Sequence, residues 1–410
     1  MDSASTVRVE VVHSAPDYRD FVNLPWQVPM VRPMVRPMRE FQRHLFDHGR
    51  FRGKLSPSAL VDSALLGKEN PFYEHGDLEM FLARDPSGRS IARIAAIHNR
   101  LHNEYHHDSV GFFGFYECID GGATGREATK ALVDLASSWL HQKYLTSIRG
   151  PFNPTINDDC GIWLAGDQDD YPSFLMPSNP AYYADHLQAA GMQVVKTMRV
   201  YRTSIDQYPE HLWERWAKMM ERLTRSSGIT LRGANFKDLD SEVKTFLGIY
   251  NAALADNWGY APMSFGELRS MAELFQSLVD PNLIRAAEVV ENGQRKVVGA
   301  TITIPDLNEI LRNTGGSLVH PKLFWKILRM KMGVPTKRIR VVFLGILPEY
   351  RHTPASVALL YDTMRMARKF GAREVEASWI LEDNRPMVKP LEDYDFKVTD
   401  NYVIYERPIA

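Results

Sequence analysis

Residues 338–396 read RIRVVFLGILPEY (338–350), RHTPAS (351–356), VALLYDTMRMARKFGA (357–372), REVEASWILEDN (373–384) and RPMVKPLEDYDF (385–396). The pattern predicts a strand, a tight loop, an amphipathic helix, a second strand and, after Asn384, a short helix. A strand–loop–helix junction points backbone amides and a helix N-terminus at one spot, which suits a phosphate-bearing cofactor.

Working outward, residues 1–206 and 229–410 give similar element orders. Strands are predicted near 78–83, 90–98 and 110–119, a helix over 126–143, and strands at 147–150 and 173–176. A helix over 180–190 and a strand over 193–205 follow. After a bridging helix within 207–228, the second run has helices at 241–255 and 265–279 and strands at 284–290 and 296–304. A helix at 321–331, the stretch quoted above and a last strand at 401–405 complete it. An internal similarity supports this division: MPSNPAYYADHLQAAGM (176–192) parallels LEDNRPMVKPLEDYDF (381–396), each with an Asn near a helix start. The reading is two α/β domains, 1–206 and 229–410, joined by the bridging helix.

Bulk properties narrow the function. With 410 residues the chain is long for one core and natural for two. A net charge of −1 gives no global field for nucleic acid, so any phosphate-binding surface is local. Two cysteines, Cys118 and Cys160, exclude a disulfide framework and a Cys-rich metal site, and a reducing cytoplasm follows as the expectation. The start MDSASTVRVEVV lacks the charge and apolar core of a signal peptide, and no apolar run reaches a membrane span. The histidines at 98, 102, 106 and 107 match no zinc spacing and read as exposed loop residues, so no metal is expected.

The runs GFFGFYE (111–117), RGPFNPTINDDCG (149–161), MPSNPAYY (176–183) and LEDNRPM (381–387) resemble those of a group of bacterial tandem-GNAT proteins, from about Trp26 to Arg407. GNAT proteins are acyl-CoA N-acyltransferases. The resemblance implies two such domains in tandem, with acyl-CoA as co-substrate, or an acyl-carrier protein in its place, and an amine acceptor. It implies that the backbone from Leu347 through Arg351, His352, Thr353, Ala355 and Ser356 cradles the pyrophosphate, with Asn384 nearby. The family's loop has glycine where this chain has Pro354, which removes one amide donor. The other half offers Gly121, Gly122 and Gly125, without an Arg in register.

Acyl transfer needs a base for the amine, a donor for the carbonyl oxygen and an acid for the departing thiolate. Glu117, on an apolar strand, is the candidate base, with a structural pairing to Arg149 as the alternative. Tyr183, or Tyr394 in the second half, is the candidate acid. Asn157 and Asp159 would position the amine; Trp26, Arg149, Asn153, Asp158 and Asn179 would line the acceptor. The arm LPWQVPMVRPMVRPM (24–38), with prolines at 25, 29, 33 and 37, suits a flap over an apolar chain or a packed connector. It motivates a long acyl group or a lipid amine such as a sphingoid base. The basic run Lys322–Arg340 suits a cofactor phosphate, an acyl-carrier protein or peripheral contact with an anionic inner membrane, against a solvated helix face. Two rival readings are an aminoacyl-tRNA-dependent ligase and a degenerate pair serving as a scaffold.

Overall fold

The computed structural model describes residues 7–29, 45–46, 70–167, 169–276, 279–312 and 320–409. Most of the proline arm falls outside them. The first elements are β1 (Arg8–Val11), α1 (Ala15–Asn23), β2 (Gly76–Arg84), β3 (Ser90–Asn99), α2 (Arg100–His106), β4 (Val110–Cys118), α3 (Ala123–His141) and β5 (Ser147–Gly150). Next come β6 (Phe152–Asn153), β7 (Asp159–Cys160), β8 (Ile162–Gly166), α4 (Tyr182–Ala189), β9 (Gln193–Ser204), α5 (Glu210–Ser227), β10 (Thr230–Gly233), α6 (Leu239–Leu254) and α7 (Phe265–Phe275). The chain closes with β11 (Ile284–Glu291), β12 (Gln294–Pro305), α8 (Leu307–Leu311), α9 (Pro321–Lys331), β13 (Arg338–Ile346), α10 (Ala355–Phe370), β14 (Glu374–Leu381), α11 (Arg385–Asp393) and β15 (Lys397–Pro408).

The chain forms two compact units: unit 1 is 1–197, 312–320 and 400–410, and unit 2 is 198–311 and 321–399. Unit 1 orders its strands β1-β2-β3-β4-β5-β15, with β8 on β15; unit 2 runs β9-β14-β13-β12-β11-β10. Each sheet is antiparallel except at one central pair, β4–β5 and β13–β14. In unit 1 the strand beside β5 is β15, pairing Tyr405 with Gly150 and Pro408 with Ser147. In unit 2 the strand beside β14 is β9, from Met198 to Ser204. Each unit therefore closes with the strand that chain order assigns to the other, whereas the sequence reading kept residues 229–410 together.

The cores follow from the apolar stripes. On α3, Ala128, Leu132, Val133, Ala136 and Leu140 are buried against Ile94, Phe113, Ile148 and Tyr405 of the sheet. On α10, Ala358, Met364 and Ala367 pack with Ile339, Val375, Val388 and Phe396. Positions 173–176, expected as a strand, form a turn closed by the Met176 amide on the Ser173 carbonyl at 3.0 Å, with Leu175 at φ 64°. Of the histidines expected in a loop, His98 lies on β3, His107 follows α2 as its C-cap, and His102 and His106 lie on that helix. There His102 is buried, its Nε2 3.4 Å from Asp108, and burial pushes its pKa down to about 4 against the pull of Asp108.

Candidate active site

In unit 1 the central parallel pair holds only over Val110–Phe112 against Ser147–Arg149. Beyond it β4 and β5 part. A Cβ at Gly114 would stand 1.7 Å from the Phe152 carbonyl oxygen, so only glycine permits this close approach. The register slips between Arg93 and Ala95, placing an extra residue in β4, and Phe115 takes φ 53°. The Phe115 amide is bonded by Asn153 Oδ1 at 2.6 Å.

Glu117 lies near the end of β4. Tyr183, from α4, donates its hydroxyl to Glu117 Oε2 at 2.7 Å and accepts the Cys118 amide at 2.8 Å. The alternative expectation paired Glu117 with Arg149; the structure instead puts Arg93 Nη2 3.8 Å away and commits Arg149 to Glu406 at 2.9 Å. Register is the reason: Arg93 faces Glu117 across β3–β4, and Arg149 faces Glu406 across β5–β15. Arg93 also donates to the Phe21 carbonyl at 2.6 Å, and its guanidinium lies 4.8 Å from the Phe21 ring centre. Burial lowers its pKa to about 10 against the opposing charge of Glu117, which leaves it cationic at neutral pH. Burial, then the Glu117 charge, pushes the Tyr183 hydroxyl well above its usual value. Tyr183 thus stays a protonated donor.

The glycine-rich loop of unit 1 is filled by its own chain. Asp120 accepts the Gly122 amide at 2.7 Å and the Gly125 amide at 3.1 Å, one carboxylate oxygen each. A carboxylate therefore sits where a phosphate would need those donors. Reading glycines alone missed this role for Asp120; the signal was an Asp two residues before Gly122, an arrangement that favours local side chain-to-amide bonds.

Of the remaining polar candidates of unit 1, Asp158 and Asn179 bond neighbouring backbone groups through their side chains. Asp158 accepts from the Thr155 amide at 3.2 Å and hydroxyl at 2.8 Å, and the Asn157 amide donates to that hydroxyl at 3.1 Å. Asp159 pairs with Asn153 between β7 and β6. Asn179 accepts the Trp163 amide at 2.8 Å and donates to the carbonyls of Trp163 at 3.1 Å and Pro180 at 3.0 Å. Trp26 ends a short 3-10 turn, Leu24–Trp26.

Unit 2 repeats the layout with its donors left open. β13 and β14 pair over Arg338–Val341 against Glu374–Ala377, then diverge. The register against β12 moves from Ile302–Phe343 to Thr303–Val341, so Val342 is the extra residue. Among the described residues no side chain bonds to the Val342 backbone. The loop from Leu347 contains a turn, Pro348–Tyr350, and is braced by the Thr353 hydroxyl on the Tyr350 carbonyl at 2.7 Å. Pro354 caps α10 without a side-chain bond to the helix. The Ala355 amide reaches Thr353 Oγ1 at 3.4 Å, whereas the Ser356 and Val357 amides have no partner among the described residues. Proline at 354 thus leaves two first-turn donors available.

Arg351, half-exposed beside this loop, donates to the Ala253 carbonyl at 3.1 Å and lies 3.6 Å from Asp256; His352 is exposed. Asn384 is the N-cap of α11, accepting the Met387 amide at 3.3 Å. Tyr394 ends that helix, its ring 5.2 Å from Trp216 and its carbonyl bonded by the Tyr208 hydroxyl. Burial raises its pKa.

A hairpin, a bulged strand, a loop–helix junction, a parallel strand that diverges from the bulged one, a further helix and a closing antiparallel strand make up each unit. This is the fold of the GNAT acyltransferases, present twice in tandem. Over 98% of this chain and 99% of the other, it is similar to the solved structure of a tandem GNAT protein from the clavulanic acid biosynthesis pathway, with a TM-score of 0.51 at 12% identity. The sequence is 28% identical over 355 residues to a bacterial ceramide synthase of Caulobacter vibrioides strain NA1000 / CB15N, across 84% of this chain and 88% of that protein. It is also 28% identical over 357 residues to protein YghO of Escherichia coli strain K12, across 84% and 85%. No family model matches the chain.

Proposed function

We propose that this protein is an acyl-CoA-dependent N-acyltransferase, with the cofactor held by unit 2 and a long-chain lipid amine as acceptor. One observation carries the assignment of the cofactor. In unit 1 Asp120 takes the Gly125 amide, third in α3, and Asn153 takes the bulge amide, while the matching Val357 amide and the bulge at Val342 in unit 2 have no side chain in their place among the described residues; the second-position amides, Thr124 and Ser356, are open in both units. The acceptor class is supported by the relative named as a ceramide synthase, a ceramide being the amide of a fatty acid with a sphingoid base.

In the reaction the amine nitrogen attacks the thioester carbonyl. The C–S bond breaks, the amine gives up a proton, and the thiolate leaves as coenzyme A and is protonated. Within unit 2, Tyr394 is proposed as the candidate acid for the thiolate; within unit 1, Glu117 is proposed as the candidate base, its carboxylate positioned by the Tyr183 hydroxyl. Incubating the protein with sphinganine and acyl-CoA thioesters from two to eighteen carbons, then detecting amide by mass spectrometry, tests the reading. N-acylsphinganine from long chains is expected. Turnover with acetyl-CoA alone would refute the long-chain assignment, and no amide from any pair would refute the activity.

A further inference from the structure

Helix α9 and the turn after it, residues 321–337, contain lysine or arginine at 322, 326, 329, 331 and 337 and no acidic residue. Leu323 is buried, which fixes the helix face. Lys326 secures the helix by donating to the carbonyls of Glu309 at 3.3 Å and Ile310 at 2.9 Å. The next face outward carries Phe324 at 65% and Trp325 at 62% exposure, with Met332 at 65% and Val334 at 41% on the turn. The two rings lean edge to face, 5.8 Å apart. Arg329 is exposed and has no ion-pair partner among the described residues. Large aromatics held in water beside cations are costly unless something covers them.

We propose that α9 and the turn through Pro335 form a docking surface for an anionic lipid bilayer. A helix with adjacent Trp and Phe flanked by Lys and Arg matches the interfacial zone, where rings enter the acyl boundary and cations meet lipid phosphates. A second copy of the chain would set these cations against themselves, and an acidic protein would have to supply pockets for rings on a convex helix. No helix among the described residues is long and apolar enough to cross a membrane, so the contact lies on the surface. The inference rests on the patch, and a lipid acceptor would give it a use.

The test is sedimentation of the full chain with phosphatidylcholine vesicles, with and without phosphatidylglycerol, in the absence of substrates, so that its failure is distinct from failure of the activity. Binding to the anionic vesicles is expected, weakening as salt rises. Phe324→Ser with Trp325→Ser should lower the partition by at least about tenfold, and Arg329→Gln by about fivefold. Both variants should keep the parent melting temperature and turnover of any water-soluble short-chain substrate pair. Equal binding to neutral vesicles, an unchanged partition in the aromatic variant, or a dimer in solution that this variant abolishes would overturn the proposal.

Discussion

Introducing a carboxylate at the N-terminus of α10 should stop coenzyme A from binding without harming the fold. Ser356 is half-buried in the first turn, and its amide is one of the two open donors. In Ser356→Asp the new carboxylate would stand about 4 Å from a phosphate seated on that turn. Two unit charges at this distance repel by about 4 kcal/mol at an effective dielectric near 20. Discounting by half for the partly exposed position leaves about 2 kcal/mol, roughly a thirtyfold loss of affinity. The same substitution places a negative charge at the positive end of a helix, which by itself stabilises by about 0.3–1 kcal/mol, so the melting temperature should hold or rise. Isothermal titration with coenzyme A reads the affinity. The companion variant is Asp120→Ser, which removes the carboxylate that fills the N-terminus of α3. It should cost about 1 kcal/mol of stability and leave coenzyme A affinity unchanged. Undiminished binding in Ser356→Asp, or lost binding in a folded Asp120→Ser, would refute the assignment of the cofactor to unit 2.

Glu117→Gln should lower kcat by about 10²–10⁴ if the carboxylate takes the amine proton, with the acyl-CoA KM little changed; a parental kcat would remove Glu117 as the base. Asn179→Ala strips bonds from the backbone of Trp163 and Pro180 and should cost about 1–3 kcal/mol in urea unfolding, so a neutral result would mean that water replaces the amide. Tyr405, fully buried on β15, should cost about 3–5 kcal/mol when replaced by Ala, read as an earlier melting transition of unit 1. Arg84 holds Glu10 at 2.5 Å, Asp17 at 2.7 Å and Asp20 at 2.9 Å. Hydrogen bonding from Arg84 lowers the Glu10 pKa; Asp17 is lowered too, burial working upward against bonds from Ser14 and the Arg84 charge. Depressed carboxylate pKa values add stability above the unfolded range near 4, which is lost as pH falls through the folded values. Arg84→Met should therefore cost about 2 kcal/mol at pH 7 and flatten the acid limb below the ordinary carboxylate range at about 4; an equally steep acid limb would show that other carboxylates set it.

How much of the site was legible depends on the range over which its parts interact. Periodic apolar residues identify α3 and α10, because each helix buries one stripe whatever its neighbours are. The turn signals before β3 and β12, and the strand–loop–helix order at 338–370, likewise reflect local backbone preferences, so two similar α/β units and the loop at Arg351–Ser356 could be named from the chain alone. Glu117 stood out because a carboxylate on an apolar strand is unusual. Its partner did not: Arg93, and the commitment of Arg149 to Glu406, follow from cross-strand register, which the one-residue bulges at Phe115 and Val342 reset and which no local signal fixes. The polar loop 153–159 reads equally as acceptor chemistry or as turn structure, because Asn and Asp serve both with the same atoms, and the bonds of Asn153 and Asp158 to backbone amides emerge only in the fold. Determined by the sequence itself were most of the elements and their similar order in the two halves, since these rest on spacing within about a dozen residues; the turn at 173–176 and the helix at 100–106 were not. Decided by tertiary structure alone were the pairing of β15 with β5 and of β9 with β14, and the contrast between a glycine loop filled by Asp120 and a proline-capped helix whose first amides stay open, because hydrogen-bond partners are settled by proximity in space.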